Sequence, residues 1–192
     1  ALSDKSDEDV RFMMFERINT GSSLLKEMEK RKGIFGGKFM DFIYNECSAH
    51  PLFLRNTKFT DRLEKRGEPQ ELIIRFFAYS ENYKDVKSGV NDFLNDFVEK
   101  KNKTFDKAKL TDEFDRMLKF VDKNFPNGFV KSASSNKTPR VRFDAISVGV
   151  ILALRENPKL KVTNTNWLSS PTFNELITKG GQNAPSAIKD RI

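Results

Sequence analysis

Apolar residues recur along this chain at intervals of three and four, and no stretch of convincing length alternates apolar with polar. That pattern predicts amphipathic helices and no sheet. The first predicted helix covers 7–19, with Asp7, Glu8 and Asp9 in its first turn, where carboxylates face the positive end of the helix dipole, and Gly21 beyond its end. A short helix over 23–32 closes at Gly33, and a third runs from about 35 to 49 with Phe35, Phe39, Phe42 and Ile43 at helical spacing. Residues 55–69 read as a charged loop whose Pro69 sits in the first turn of the next helix, ending near residue 80. Helices then follow over about 83–100, striped by Val86, Val90, Phe93, Leu94, Phe97 and Val98, and about 109–125, striped by Phe114, Met117, Leu118 and Val121. Pro126, Asn127 and Gly128 end the second of these.

The stretch 140–157 is apolar on most sides, which predicts a deeply buried helix, and Gly149 at its middle predicts close approach of a neighbouring helix. Thr172 and Glu175 have capping-box spacing before a last predicted helix, with Gly180 past its end. Only 160–168 could be extended. The expected architecture is all-α: a multi-helix bundle over 1–129, a basic Ser-rich linker over 130–140, and a helical segment over 141–192 that packs its buried apolar C-terminal helix on the bundle.

Composition sharpens this in a few places. At 38% hydrophobic and 32% charged, the chain has material for a core and a solvated surface, as a globular protein needs. Phe occurs 18 times against one Trp, and Phe has no polar handle, so a Phe-rich interior is expected. The longest apolar run, 145–154, is well short of the roughly 20 residues that cross a bilayer, so no membrane partner is expected. The opening ALSDKSDEDV has acids where a signal peptide is basic, and it starts without Met, as expected of a processed chain or a piece of a longer one. A single cysteine, Cys47, excludes an internal disulfide and points to a reducing, cytoplasmic setting. A single histidine, His50, argues against a His-based metal site and a Ser-His-Asp triad, and its place before Pro51 suggests a helix end. No metal ligands are nominated. The net charge of +7 permits a polyanionic partner without requiring one.

Candidate chemistry is sparse. Arg17 and Asn19 sit at the tip of the first predicted helix, and an arginine beside apolar neighbours needs a carboxylate, a carbonyl or a phosphate for its donors. Glu29 and Asp41 are the candidate internal partners, and a bound phosphate is the alternative. The glycine-rich EKRKGIFGGK, 29–38, lacks phosphate-loop spacing and follows no strand, so it reads as a helix corner with a basic rim. Lys131, Lys137, Arg140 and Arg142 fall in a Ser-rich stretch with no acid and are the candidate nucleic-acid contacts. The paired carboxylates, such as Asp92 with Asp96 and Asp112 with Glu113, fit solvated faces and helix starts. Nothing here composes a complete active site, and the catalytic residues are unknown from the sequence.

Four blocks in order, FERINTG at 15–21, EKRKGIFGGKFMDF at 29–42, ELIIRFFAYSENY at 71–83 and VRFDAISVGVILALRENP at 141–158, resemble the later part of the GmrSD-type, ParB-like family of modification-dependent restriction and phage-defence proteins. Phe15, Arg17 and Asn19 match the family's F-x-R-x-N motif, and Glu29 with Arg31 resembles the stretch that follows it. The family's upstream D-G-Q-Q-R motif is not in this chain, nor is the H-N-H-type nuclease domain that often accompanies it. The resemblance therefore implies the helical portion of a nucleotide hydrolase or nuclease that acts on DNA, inactive without its ParB-like part. It implies that Arg17 and Asn19 hold a nucleotide or DNA phosphate, supported by Phe15, Glu29 and Arg31. A nucleoside triphosphate with magnesium would be the cofactor of the complete protein. The competing expectations are a stand-alone DNA-binding module and a purely structural brace for a partner chain.

Overall fold

The computed structural model describes residues 10, 13–14, 26–87, 89–178 and 181–192. Among them there is no strand, and the fold is all-α. The helices are α1 (Glu27–Ile34), α2 (Lys38–Phe42, continued by a π-helical turn, Ile43–Cys47), α3 (Pro51–Asn56), α4 (Asp61–Lys65), α5 (Glu68–Asn82), α6 (Val90–Lys103), α7 (Lys107–Asn124), α8 (Arg140–Glu156), α9 (Pro171–Thr178) and α10 (Pro185–Arg191). Val10, Met13 and Met14 are also helical, and all three are exposed.

Two central helices organise the rest. In α5 every residue from 71 to 80 is buried, and α8 is buried over most of 142–154. They pack against each other, with α7 and α3 on one flank and α2 and α6 on the other. Phenylalanines fill the joints. The Phe114 ring of α7 lies 5.7 Å from both Phe76 and Phe77 of α5 and 6.0 Å from Phe53 of α3. Phe39 of α2 meets Phe77 and Phe97 edge-on at 6.0 and 5.8 Å, an arrangement favoured by the ring quadrupoles.

Local chemistry sets the ends of the helices. His50 caps α3, accepting at Nδ1 from the Leu52 N–H at 3.1 Å with Pro51 behind it, and its Nε2 lies 3.1 Å from Asp115. Asp106 caps α7 by accepting from the Lys109 N–H. Asn102 holds the glycine corner between α1 and α2: its Nδ2 donates to the Phe35 carbonyl and its Oδ1 accepts from the Phe39 N–H. The charged stretch 55–69, expected as a loop, contains α3's end and all of α4, because its Thr60–Asp61 start and Leu63 support one short turn of helix. The possible extended stretch 160–168 is irregular and ends in a 3-10 turn. Among the described residues no helix is long and apolar enough to cross a membrane.

The polar stretch 130–140 is stitched to the connection between α3 and α4. Lys58 and Thr138 exchange two bonds, Lys58 N–H to Thr138 Oγ1 and Thr138 N–H to the Lys58 carbonyl, each 2.9 Å. The Phe129 N–H donates to the Asn56 carbonyl at 3.0 Å. Gly128 makes this approach possible. Its φ is +52°, and a Cβ there would stand 2.7 Å from the Asn56 carbonyl oxygen. Gly149 is the reverse. The expected neighbouring helix does not come close: a Cβ would meet nothing within 4 Å, because that face of α8 opens on a cleft lined by Phe120, Phe125, Val162 and Trp167.

The two glycines should therefore respond oppositely. Gly128→Ala is expected to lower unfolding free energy by about 2 kcal/mol or more, through strain at positive φ and collision with Asn56. Gly149→Ala should leave stability unchanged or raise it by up to about 1 kcal/mol, through better helix propensity. Urea denaturation of both variants checks the sign of each.

Candidate anion-binding cleft

The residues nominated by the sequence fall in three groups. Phe15, Arg17 and Asn19 lie outside the described residues. Glu29 and Arg31 lie on α1 and each has a partner. Glu29 closes a capping box, its Oε2 accepting from the Lys26 N–H at 2.7 Å, and it pairs with Arg66 at 3.2 Å. Arg31 is 1% exposed and donates from Nη1 to Glu71 at 2.5 Å and from Nε to Asn95 at 2.9 Å. Asp41, the other carboxylate considered for Arg17, is exposed on α2.

The four basic nucleic-acid candidates do not form one surface. Lys131 and Lys137 are exposed. Arg140 is held in a fork by Glu68, Nε to Oε1 at 2.6 Å and Nη2 to Oε2 at 2.5 Å. Arg142 is 4% exposed, donates to the Leu168 carbonyl at 3.3 Å and lies over the Phe173 ring, and burial pushes its pKa below the usual arginine value. Arg142 therefore leaves the nucleic-acid set, because it falls on the face of α8 covered by the chain around residues 168–173.

Two of the nominated residues, Lys137 and Arg140, do converge on one cleft of about 700 Å³. Its walls come from the start of α1, from α4, from the first turn of α5, from Asn91 of α6, from the entry to α8 and from Asn183 before α10. Lys26, Arg62, Arg66, Lys137 and Arg140 line it against Glu27, Glu68 and Glu71, so the cationic side chains exceed the carboxylates by two. Arg66 and Arg140 are tied to Glu29 and Glu68, and Glu27 to Lys30. Lys26, Arg62 and Lys137 have no carboxylate partner among the described residues. Glu29 and Arg31, the two motif-supporting residues, each brace a residue of this wall, Arg66 and Glu71 respectively.

Behind the wall runs a chain of buried charges. Glu71 lies between Arg31 and Arg75, whose Nη1 is 3.8 Å away. Arg75 grips Asp144 of α8, Nη2 to Oδ2 at 2.7 Å and Nε to Oδ1 at 3.2 Å. Arg191 of α10 completes the set, Nη2 to Asp144 Oδ2 at 2.9 Å. All five side chains are at most 3% exposed. Asp144 beside it holds the Arg75 guanidinium well above its usual pKa, against the opposing effect of burial. Tyr79, against the same cluster, has its phenol pushed up by burial. No group of three or more His, Cys, Asp or Glu side chains among the described residues is placed to hold a metal ion.

No family model, curated protein or solved structure matches the chain. The sequence reading missed Lys26, Arg62 and Arg66, which look like ordinary surface charges. It also missed the buried chain, although a signal was present. Glu71 and Arg75 interrupt the apolar run of α5, and Asp144 that of α8. A charge in a helix with no solvent face must find a partner in the core.

Asp144→Ala strands Arg75 and Arg191 in the interior and is expected to cost about 3–5 kcal/mol of stability. Glu99→Ala, which removes an exposed pair with Lys103, should stay near wild type. Equilibrium denaturation of the two variants tests whether burial of the pair sets the difference.

Proposed function

We propose that this chain is the helical part of a modification-dependent restriction or phage-defence protein of the GmrSD type, and that its cleft receives the phosphate groups of a nucleotide. The observation that supports this most is the cleft itself. Lys26, Arg62 and Lys137, unpaired among the described residues, face one concave space, walled by residues that Glu29 and Arg31 of the resembling motif stretch hold in place. Guanidinium and ammonium donors around a concavity suit a multiply charged phosphate.

A nucleotide fits this cleft better than a DNA backbone. The volume is that of a small-molecule site, and Glu27, Glu68 and Glu71 interrupt the positive surface, which an extended polyphosphate would track as an unbroken stripe. On this reading Arg17 and Asn19 of the F-x-R-x-N motif add further phosphate contacts, and a ParB-like part bearing D-G-Q-Q-R completes the catalytic machinery. The chain alone binds and does not turn over. The exposed Val10, Met13 and Met14, spaced to share one helix face, suit packing against such a part.

The test is a titration of the chain with a fluorescent nucleoside triphosphate and, separately, with a labelled short DNA duplex. Saturable triphosphate binding is expected, weakened about tenfold by Arg62→Gln or Lys137→Gln and by Arg17→Gln. Duplex binding that is tighter than triphosphate binding and unaffected by Arg62→Gln would overturn the nucleotide reading.

A further inference from the structure

We infer that Asn183 is a ligand-touching residue of this cleft and that Arg191, buried in the core, is the positioning residue that sets it there. This rests on the cleft being a nucleotide-phosphate site. Asn183 is exposed and lines the cleft. It sits in a tight turn that starts at Gly181, with φ +70°, and closes with the Ala184 N–H donating to the Gly181 carbonyl at 2.7 Å. Arg191 controls that turn from below: its Nη1 donates to the backbone carbonyl of Gln182 and approaches Gln182 Oε1 at 3.3 Å, while its Nη2 is anchored on Asp144.

Asp144 is in turn held by Arg75, and Arg75 neighbours Glu71, which is itself a cleft residue. The buried charges thus begin at one part of the cleft wall and return to it at another, through α5, α8 and α10. One guanidinium fixes both the core end and the cleft end of the turn, so Asn183 is placed with the rigidity of the central helices although α10 is short.

The chemistry of Asn183 says what it touches. A carboxamide offers two donors and one acceptor and no charge, so it adds little to phosphate affinity beside Lys26, Arg62 and Lys137. With Asn91 and Asn136, which line the same cleft from other segments, it provides paired donors and acceptors for the base or sugar of the nucleotide. Asn183 therefore distinguishes a nucleoside triphosphate from a bare one.

The experiment compares binding of inorganic triphosphate and of a nucleoside triphosphate to the full 192-residue chain. Asn183→Ala is expected to weaken the nucleoside triphosphate by about fivefold or more and to change inorganic triphosphate by less than about twofold. Arg191→Gln should reproduce that selective loss, and Arg191→Lys should restore part of it. A general structural defect would weaken both ligands together. If Asn183→Ala and Arg191→Gln bind both ligands as wild type does while Arg62→Gln still weakens them, the cleft reading stands and this inference falls. If a folded Arg191→Gln protein keeps its preference while Asn183→Ala loses it, the positioning role of Arg191 is wrong. If the unaltered chain binds neither triphosphate, both readings fall. Should Arg191→Gln fail to fold, Arg191→Lys and Asn183→Ala together decide the matter, because an unselective loss in both overturns the inference.

Discussion

The fold depends on the ionic chain Arg31, Glu71, Arg75, Asp144 and Arg191 at its centre. Removing an ion from water costs several kcal/mol even after relaxation, and here five ionised side chains are removed together. That cost is offset only where each carboxylate meets its guanidinium at close range. The relative placement of α1, α5, α8 and α10 is therefore narrowly defined. Hydrophobic packing of Phe and Leu tolerates sliding along a helix; the fork of Arg75 on Asp144 does not. The phenylalanine core supplies the bulk of the driving force, and the charges select which packing of that core is adopted.

This division explains why the two halves of the structure were unequally legible. The helices were readable because their stripes bury apolar residues at regular intervals, and α5, α7 and α8 fall close to where periodicity puts them, whereas α6, expected from about 83, begins at Val90 after a separate 3-10 turn at Tyr83–Asp85. The ends of α3 and α7 follow from His50 with Pro51 and from Asp106. Gly149 was misread because a glycine inside a helix marks either close approach or open space, and periodicity does not distinguish the two. The 55–69 stretch was misread because α4 is a single turn, too short to show a period.

The cleft was legible only in fragments. Lys137 and Arg140 were nominated for nucleic acid, and Glu29 and Arg31 as supports of a motif, on separate grounds. That the first two line one cleft whose wall residues Arg66 and Glu71 pair with the other two is a property of tertiary structure, since α1, α4 and the entry to α8 are far apart in sequence. Arg142 shows the limit of the same logic. Two residues from Arg140 on a helix, it points to a different side and is covered by the chain around Leu168 and Phe173, although both arginines border the same Ser-rich basic stretch.

The electrostatics of the cleft follow from what lies behind it as well as what lines it. Glu71 would by its position repel an anion, yet Arg31 and Arg75 on its buried side oppose its charge. In the buried set three arginines meet two carboxylates, so an excess of positive charge stands in low dielectric just beneath the wall. There it is screened far less than a surface lysine would be. Among the described residues Arg31 Nη2 and Arg191 Nε are without a hydrogen-bond acceptor. On the proposed reading, an anion entering the cleft meets Lys26, Arg62 and Lys137 directly, while the surplus guanidinium charge behind the wall offsets the repulsion of Glu71.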